Sequence, residues 1–451
     1  MSGASGLRRL RSEAATEAWE GQGALPAAES TWGKGLRWSL VLGRFGAVQG
    51  VVQVFGALAG FLIVRLMSKQ DYALFGVAFG MQSTCNLLAD VGIGMGTSAI
   101  GGRVWTDRFR FGQLLSTALG LRRLFAAIAF VVVLPVAAWM LWRNHASPLE
   151  AVALCGAIAL GVVPQLGAGI WGVAVLLHGE YERRQRLDLG CAVARLALIG
   201  GLAVTAINAL LALLAGVVVN WVQYAWLRLW AYQHAERAAP PDRAYRAELL
   251  RVSLKSLPNA LFFCFQGQLT LLILTLVDNT TGIADITALG RVAFLFTIFS
   301  TAFSNVLAPR FTRCQDAVRM RQLYLLFIGG IALVVLPVLL VAWLWPGPFL
   351  WILGAKYRYL GSSLIWVVAA TCVGQLANSL WSLNSSKAWI RFQAPLYIPM
   401  ILGVQVVAAA TLNLREFHDV LIFGLVSAAA PLPLYVADAW FGLFRENRVS
   451  L

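Results

Sequence analysis

A charged side chain inside a long apolar run costs several kcal/mol unless a cavity or a partner receives it, so such residues are where chemistry is sought first. Arg44 is one, and at helical spacing after it come Gln49, Gln53, Gly56 and Gly60, a face that is polar at one end and small at the other. Lys255, Asn259, Gln266 and Thr270 place a second such stripe in the other half of the chain. Two stripes of cations and amides suit the lining of a cavity between two halves. Interhelical hydrogen bonds that only hold a bundle together are the alternative. Arg195 and Arg291 are deeper cations, and a guanidinium forks onto the oxygens of a diphosphate. Each has a plainer reading: pairing of Arg195 with Asp188 on the same face, or snorkelling of Arg291 to the outer surface. Asp90, in LLADVGIGMG, is the carboxylate well inside an apolar stretch of the first half. It is the candidate for binding a coupling proton or cation, or for neutralising a cavity arginine. Capping or kinking a Gly-rich helix end is the structural alternative, and the glycines around it favour that role.

Enzyme chemistry finds little to work with, and the expectation is a protein that is not an enzyme and uses no cofactor. The four histidines (His145, His178, His234, His418) sit at helix ends or in loops, far apart in sequence. No HExxH, GxSxG or nucleotide-binding loop occurs, and no metal site is expected. The six cysteines lie mostly in apolar runs without CxxC spacing and read as small buried hydrophobes. Without an ATP motif, a driving force must come from an ion gradient, the membrane potential or substrate supply.

The elements that position these residues follow from composition. With 59% hydrophobic and 13% charged residues in a chain of 451, a water-soluble globule is excluded. Apolar runs near the length of a bilayer-spanning helix recur along the chain, and period-two alternation is absent. The fold class expected is an all-α polytopic membrane protein of about twelve transmembrane helices, six on either side of a polar linker. Spans are expected near 39–65, 73–99, 114–141, 151–177, 187–206 and 208–231. After the linker they are expected near 251–277, 284–308, 322–345, 360–384, 393–412 and 418–443. The domain reading is a disordered cytosolic tail at 1–37, an N-lobe at 38–232, a cytosolic linker at 233–250 with Pro240 and Pro241, a C-lobe at 251–444 and a cytosolic end at 445–451.

The halves echo each other. VVLPV occurs at Val132–Val136, after Arg122 and Arg123, and again at Val334–Val338, after Arg319 and Arg321. ALFGVAF at 73–79 returns as ALGRVAF at 288–294. Such repeats are usual in transporters. The net charge of +15 would suggest nucleic acid in a soluble protein, but here Lys and Arg sit in alternate loops. The poorer set of loops holds Arg65, Lys69, Arg143, Lys356, Arg358 and Arg415, which places both termini in the cytosol and gives the halves the same orientation, related by a pseudo-twofold axis along the membrane normal.

Three stretches carry a family resemblance. RLMSKQDYALFGVAFGMQSTCNLLADVGIG (65–94), ITALGRVAFLFTIFSTAFSNVLAPRFTR (286–313) and ILGAKYRYLGSSLIWVVAA (352–370) resemble polysaccharide flippases of the multidrug/oligosaccharidyl-lipid/polysaccharide (MOP) exporter superfamily. The positions that match are Arg65, Tyr72, Asp90, Arg291 and Tyr357. Gln266 and Gln268 stand where many relatives carry a charge. The resemblance implies two six-helix lobes of MATE-like arrangement around a central cavity, alternating in access. It implies an undecaprenyl-diphosphate-linked oligosaccharide as substrate, its sugars crossing in the cavity while the lipid tail stays in the bilayer. The expected setting is a bacterial inner membrane, in exopolysaccharide, capsule or O-antigen assembly. The expected partners are that lipid-linked oligosaccharide, membrane lipid and possible polymerase or export machinery, with no nucleic acid and the protein a monomer. The competing readings are an ion-coupled drug or metabolite antiporter of the same superfamily, a membrane glycosyltransferase or ligase, and a scaffold for polysaccharide synthases. The short outer loops speak against the third of these four.

Overall fold

The computed structural model describes the backbone of residues 31–203, 207–293, 311, 316–387 and 389–444. It describes their side chains except at 31–47, 292–293, 317 and 394. The chain divides into two compact units, 1–47 and 48–451. The first contains the start of a long helix, and the second holds all the other described helices.

Helices form where apolar runs begin behind a side chain able to cap them. The helix α1 (Thr31–Leu66) gives way to α2 (Lys69–Asp90), whose cap Ser68 accepts from Asp71 N. Asp107 caps α4 (Arg108–Arg143), Ser147 caps α5 (Pro148–Leu177), and Asn208 caps α7 (Ala209–His234). Asp242 caps α8 (Arg243–Leu276) and Asn279 caps α9 (Thr280–Leu289). Asp316 caps α10 (Ala317–Leu344). Between these lie α3 (Ile93–Val104) and α6 (Tyr181–Leu202), and after them α11 (Gly347–Leu353), α12 (Gly361–Ser386), α13 (Gln393–Thr411), α14 (Phe417–Ala429) and α15 (Leu432–Phe444). Short 3-10 turns occupy Gly290–Ala293 and Ala355–Leu360. Eight helical stretches among the described residues are long and apolar enough to cross a membrane.

Two spans depart from the expected pattern. The run 73–99 is broken at Val91 and Gly92, both with positive φ (31° and 79°), because the Gly-rich sequence ends α2 and restarts as α3. The run 418–443 breaks before Leu432, where Pro431 interrupts the ladder. Most of 284–308 lies outside the described residues. The connection between α7 and α8 is 235–242, shorter than the polar composition of 233–250 implies, since Asp242 already caps the next helix. Both VVLPV copies sit inside their helices, with Pro135 in α4 and Pro337 in α10.

The apolar packing distinguishes the two ends of the bundle. One core takes in the ends of α1, α4 and α8, the beginnings of α5 and α12, and α2 and α9, so both halves of the chain share it. Toward the other end there are two cores, the first of which also takes in Leu249 at the start of α8. Leu114, Leu115 and Phe111 of α4 pack with Trp171 of α5 and Leu227 of α7, while Tyr324 and Phe327 of α10 pack with Leu383 of α12 and Tyr435 of α15.

Candidate functional site

The shared core carries a buried polar cluster. Arg291, in the turn after α9, is 9% exposed. Its Nε donates to the Tyr72 hydroxyl at 3.1 Å, and that hydroxyl donates to the Thr287 carbonyl at 3.3 Å. The guanidinium lies 5.8 and 5.7 Å from the Phe75 and Phe79 ring centres, within cation–π range. α2 therefore presents Tyr72, Phe75 and Phe79 at helical spacing to one cation. Glycines make the close approach possible. A Cβ at Gly60 would stand 3.2 Å from Arg291 Nη1, and one at Gly76 would stand 2.5 Å from Thr287 Oγ1. Gln268 of α8 donates from Nε2 to the Gly80 carbonyl at 3.1 Å, beside the same face of α2.

Arg195 of α6 is a second cation, half-buried. Its Nε is buried without a hydrogen-bond partner among the described residues. Pairing with Asp188 does not occur. Asp188 is occupied by Arg184 of its own helix at 3.4 Å and by Gln223 of α7 at 2.8 Å. Arg291 likewise does not snorkel outward; the hydroxyl of Tyr72 holds it inside.

A rim of contacts surrounds the start of α2. Lys69 Nζ donates to the Tyr359 hydroxyl at 2.6 Å and stands 3.9 Å from Asp285 Oδ1, and Tyr359 donates to the other oxygen of Asp285. Lys356 donates to the Met67 carbonyl, and Arg65 donates to the Trp351 carbonyl at 3.1 Å. Tyr357 is fully buried between the amines of Lys69 and Lys356. The contacts of Arg65, Met67 and Lys69 join the first half of the chain to the second. Four of the five motif positions, Arg65, Tyr72, Arg291 and Tyr357, thus fall in this rim and the cluster beneath it.

The fifth, Asp90, lies elsewhere. Its carboxylate pairs with Arg122 of α4 and accepts from Gly94 N at 2.9 Å, while Arg122 also donates to the Leu166 carbonyl at 2.8 Å. Arg122 is 6% exposed, so it is not part of a cytosolic basic segment as its neighbour Arg123 suggests; the ion pair draws it into the helix contact. Of the remaining cavity candidates, the side chain of Arg44 lies outside the described residues. Gln49 and Gln53 are half-buried and Lys255 and Asn259 are exposed, with no hydrogen bond among the described residues. Gln266 keeps a buried Oε1 without a partner there. Sequence reasoning also missed a pair of stacked imidazoles, His178 and His234, with ring centres 4.0 Å apart and Glu180 Oε1 at 3.2 Å from His234 Nε2. The positions of these histidines at the ends of α5 and α7 were the only available signal.

The pattern of the polysaccharide biosynthesis protein family matches residues 62–362. The chain belongs to that family. The match covers the motif stretches at 65–94 and 286–313 entirely and residues 352–362 of the third. No curated protein matches. Among solved structures, the chain is similar to a multidrug resistance MATE family transporter of the MOP superfamily in its inward-facing conformation. The TM-score is 0.65 at 16% identity, covering 87% of this chain and 96% of that one. An outward-facing conformation of such a transporter gives 0.54 at 17% identity, covering 90% and 96%. A MOP superfamily transporter from Pyrococcus furiosus, described as having a binding pocket of reverse polarity, gives 0.54 at 16% identity, covering 88% and 93%. The chain therefore has the helical fold of these MATE transporters, and its eight long apolar helices make it a multi-pass membrane protein.

Proposed function

We propose that the protein flips an undecaprenyl-diphosphate-linked oligosaccharide across the bacterial inner membrane by alternating access, with both termini in the cytosol. The observation that carries the reading is two inward guanidiniums: Arg291, buried against Phe75, Phe79 and the Tyr72 hydroxyl, and Arg195, whose Nε is buried without a partner among the described residues. A buried cation with an unpartnered Nε is costly, and a diphosphate that accepts forked hydrogen bonds offsets that cost when it arrives. The neutral amide of Gln268, held at the Gly80 carbonyl beside the same face of α2, suits sugar hydroxyls. The shared core at one end and separate cores at the other support a bundle that opens on the basic, cytosolic side first. Lys69, Tyr359 and Asp285 then form the outer gate that must part for release.

Coupled antiport of small cations is the competing reading, and it needs a carboxylate available to an ion. Asp90 is held by Arg122 and a backbone N–H, which favours the flippase. Deleting the gene is expected to abolish surface polysaccharide and to leave lipid-linked repeat units on the cytosolic leaflet, both restored by the intact gene. Unchanged surface polysaccharide in the deletion strain would refute the proposal.

A further inference from the structure

The flank of the first half carries a pocket that the proposed transport path does not use. It lies where the beginning of α4, the ends of α5 and α7 and the 235–241 segment meet, at the end where the charge bias places the cytosol. Its volume is about 310 Å³. Arg123, Arg228 and Arg237 stand around it, all exposed, and none is paired with a carboxylate among the described residues. Tyrosines hold two of them instead. Arg228 donates to the Tyr232 hydroxyl at 3.4 Å and lies 6.0 Å from the Tyr224 ring, and Arg237 lies 5.0 Å from the Tyr232 ring. Trp171, also in the wall, keeps its indole N–H buried without a partner. Glu236 is the one carboxylate in the lining, so the pocket stays net positive.

A second cavity, of about 290 Å³, continues from this pocket toward the middle of the membrane. The two share Leu119, Arg123 and Tyr224, and the deeper one is lined by Ala126, Ala127, Phe130, Val163 and Leu166. Two glycines give the arrangement its form. A Cβ at Gly112 would stand 2.7 Å from the Glu236 carbonyl, so this glycine lets the 235–241 segment close on α4. A Cβ at Gly167 would run into the Tyr224 ring, which lies where head pocket and groove join.

We infer that this flank binds an anionic glycerophospholipid of the cytosolic leaflet, its headgroup phosphate among Arg123, Arg228 and Arg237 and one acyl chain in the groove. Basic pockets between membrane helices on the cytosolic side have the charge and depth for such headgroups. The pocket sits at the lower limit of ligand-site volumes, with room for a phosphoglycerol and not for a chain of sugars. It also contains neither Arg195 nor Arg291, so the ligand is distinct from transported substrate.

The test uses the full-length protein in detergent and a fluorescent phosphatidylglycerol as probe. Unlabelled phosphatidylglycerol should compete, while phosphatidylcholine and inorganic phosphate should not. At roughly fivefold per arginine, Arg123→Gln, Arg228→Gln and Arg237→Gln together should weaken binding about a hundredfold. Ala127→Trp, which fills the groove and leaves the arginines in place, should weaken it about tenfold. Equal competition by phosphatidylcholine or by inorganic phosphate would overturn the inference, as would wild-type affinity in the triple variant. Tighter binding of undecaprenyl phosphate than of phosphatidylglycerol would also overturn it and assign the flank to the isoprenoid carrier.

Discussion

The Tyr72 hydroxyl links two elements, accepting from Arg291 and donating to the Thr287 carbonyl. Tyr72→Phe leaves a buried guanidinium N–H without its acceptor, a loss of about 1–3 kcal/mol. The expected outcome is a lower unfolding temperature in detergent together with reduced polysaccharide export. Asp90 gives a sharper contrast. Breaking an ion pair from its exposed side leaves the deeper charge uncompensated. Asp90→Asn, which strands the buried Arg122 guanidinium, is therefore expected to cost about 3 kcal/mol, whereas Arg122→Leu, which leaves a carboxyl 39% exposed to solvent, costs less. Thermal unfolding of both variants checks the order. A fully stable Asp90→Asn protein that has lost transport would instead return Asp90 to ion coupling.

At the scale of elements, two features determine how the helices meet. The break between α2 and α3 depends on Gly92, whose φ of +79° suits glycine and whose absent Cβ would lie 2.9 Å from Ser256 Oγ. Gly92→Ala is expected to destabilise by about 1–2 kcal/mol, read by thermal unfolding. The rim formed by α2, α9 and the 355–360 turn rests on Lys69, Asp285 and Tyr359. Lys69→Asp and Asp285→Lys should each impair export, and the two together should recover much of it. Failure of the exchange to recover any export would show that the residues act apart.

Across the whole molecule, what the sequence revealed was whatever repeats locally. Apolar runs located the helices, and the Gly cluster after Asp90 marked a helix end. The motif positions Tyr72 and Arg291 were visible as a resemblance, though not as partners. Contacts between distant segments stayed hidden, because helical spacing orders residues within one helix and says nothing of its neighbours. Arg122 reads as part of a basic run until α2 brings Asp90 to it. Asp188 lies on the face of Arg195, yet Arg184 is nearer along the helix and Gln223 comes from another helix. The stacking of His178 on His234 and the rim at Lys69 have the same origin.

The central claim is that Arg195 and Arg291 receive the diphosphate of a lipid-linked oligosaccharide. The measurement that tests it most directly is translocation of such a lipid in proteoliposomes, comparing the wild-type protein with Arg195→Ala and Arg291→Ala at equal incorporation. Loss of one charge-assisted contact, about 1.5–3 kcal/mol, corresponds to roughly a ten- to hundredfold fall in apparent affinity for each variant. Lysine at either position should restore part of it, since charge returns without the fork. Translocation at wild-type rate and affinity in both alanine variants would contradict the claim and leave the two arginines a structural role in the bundle.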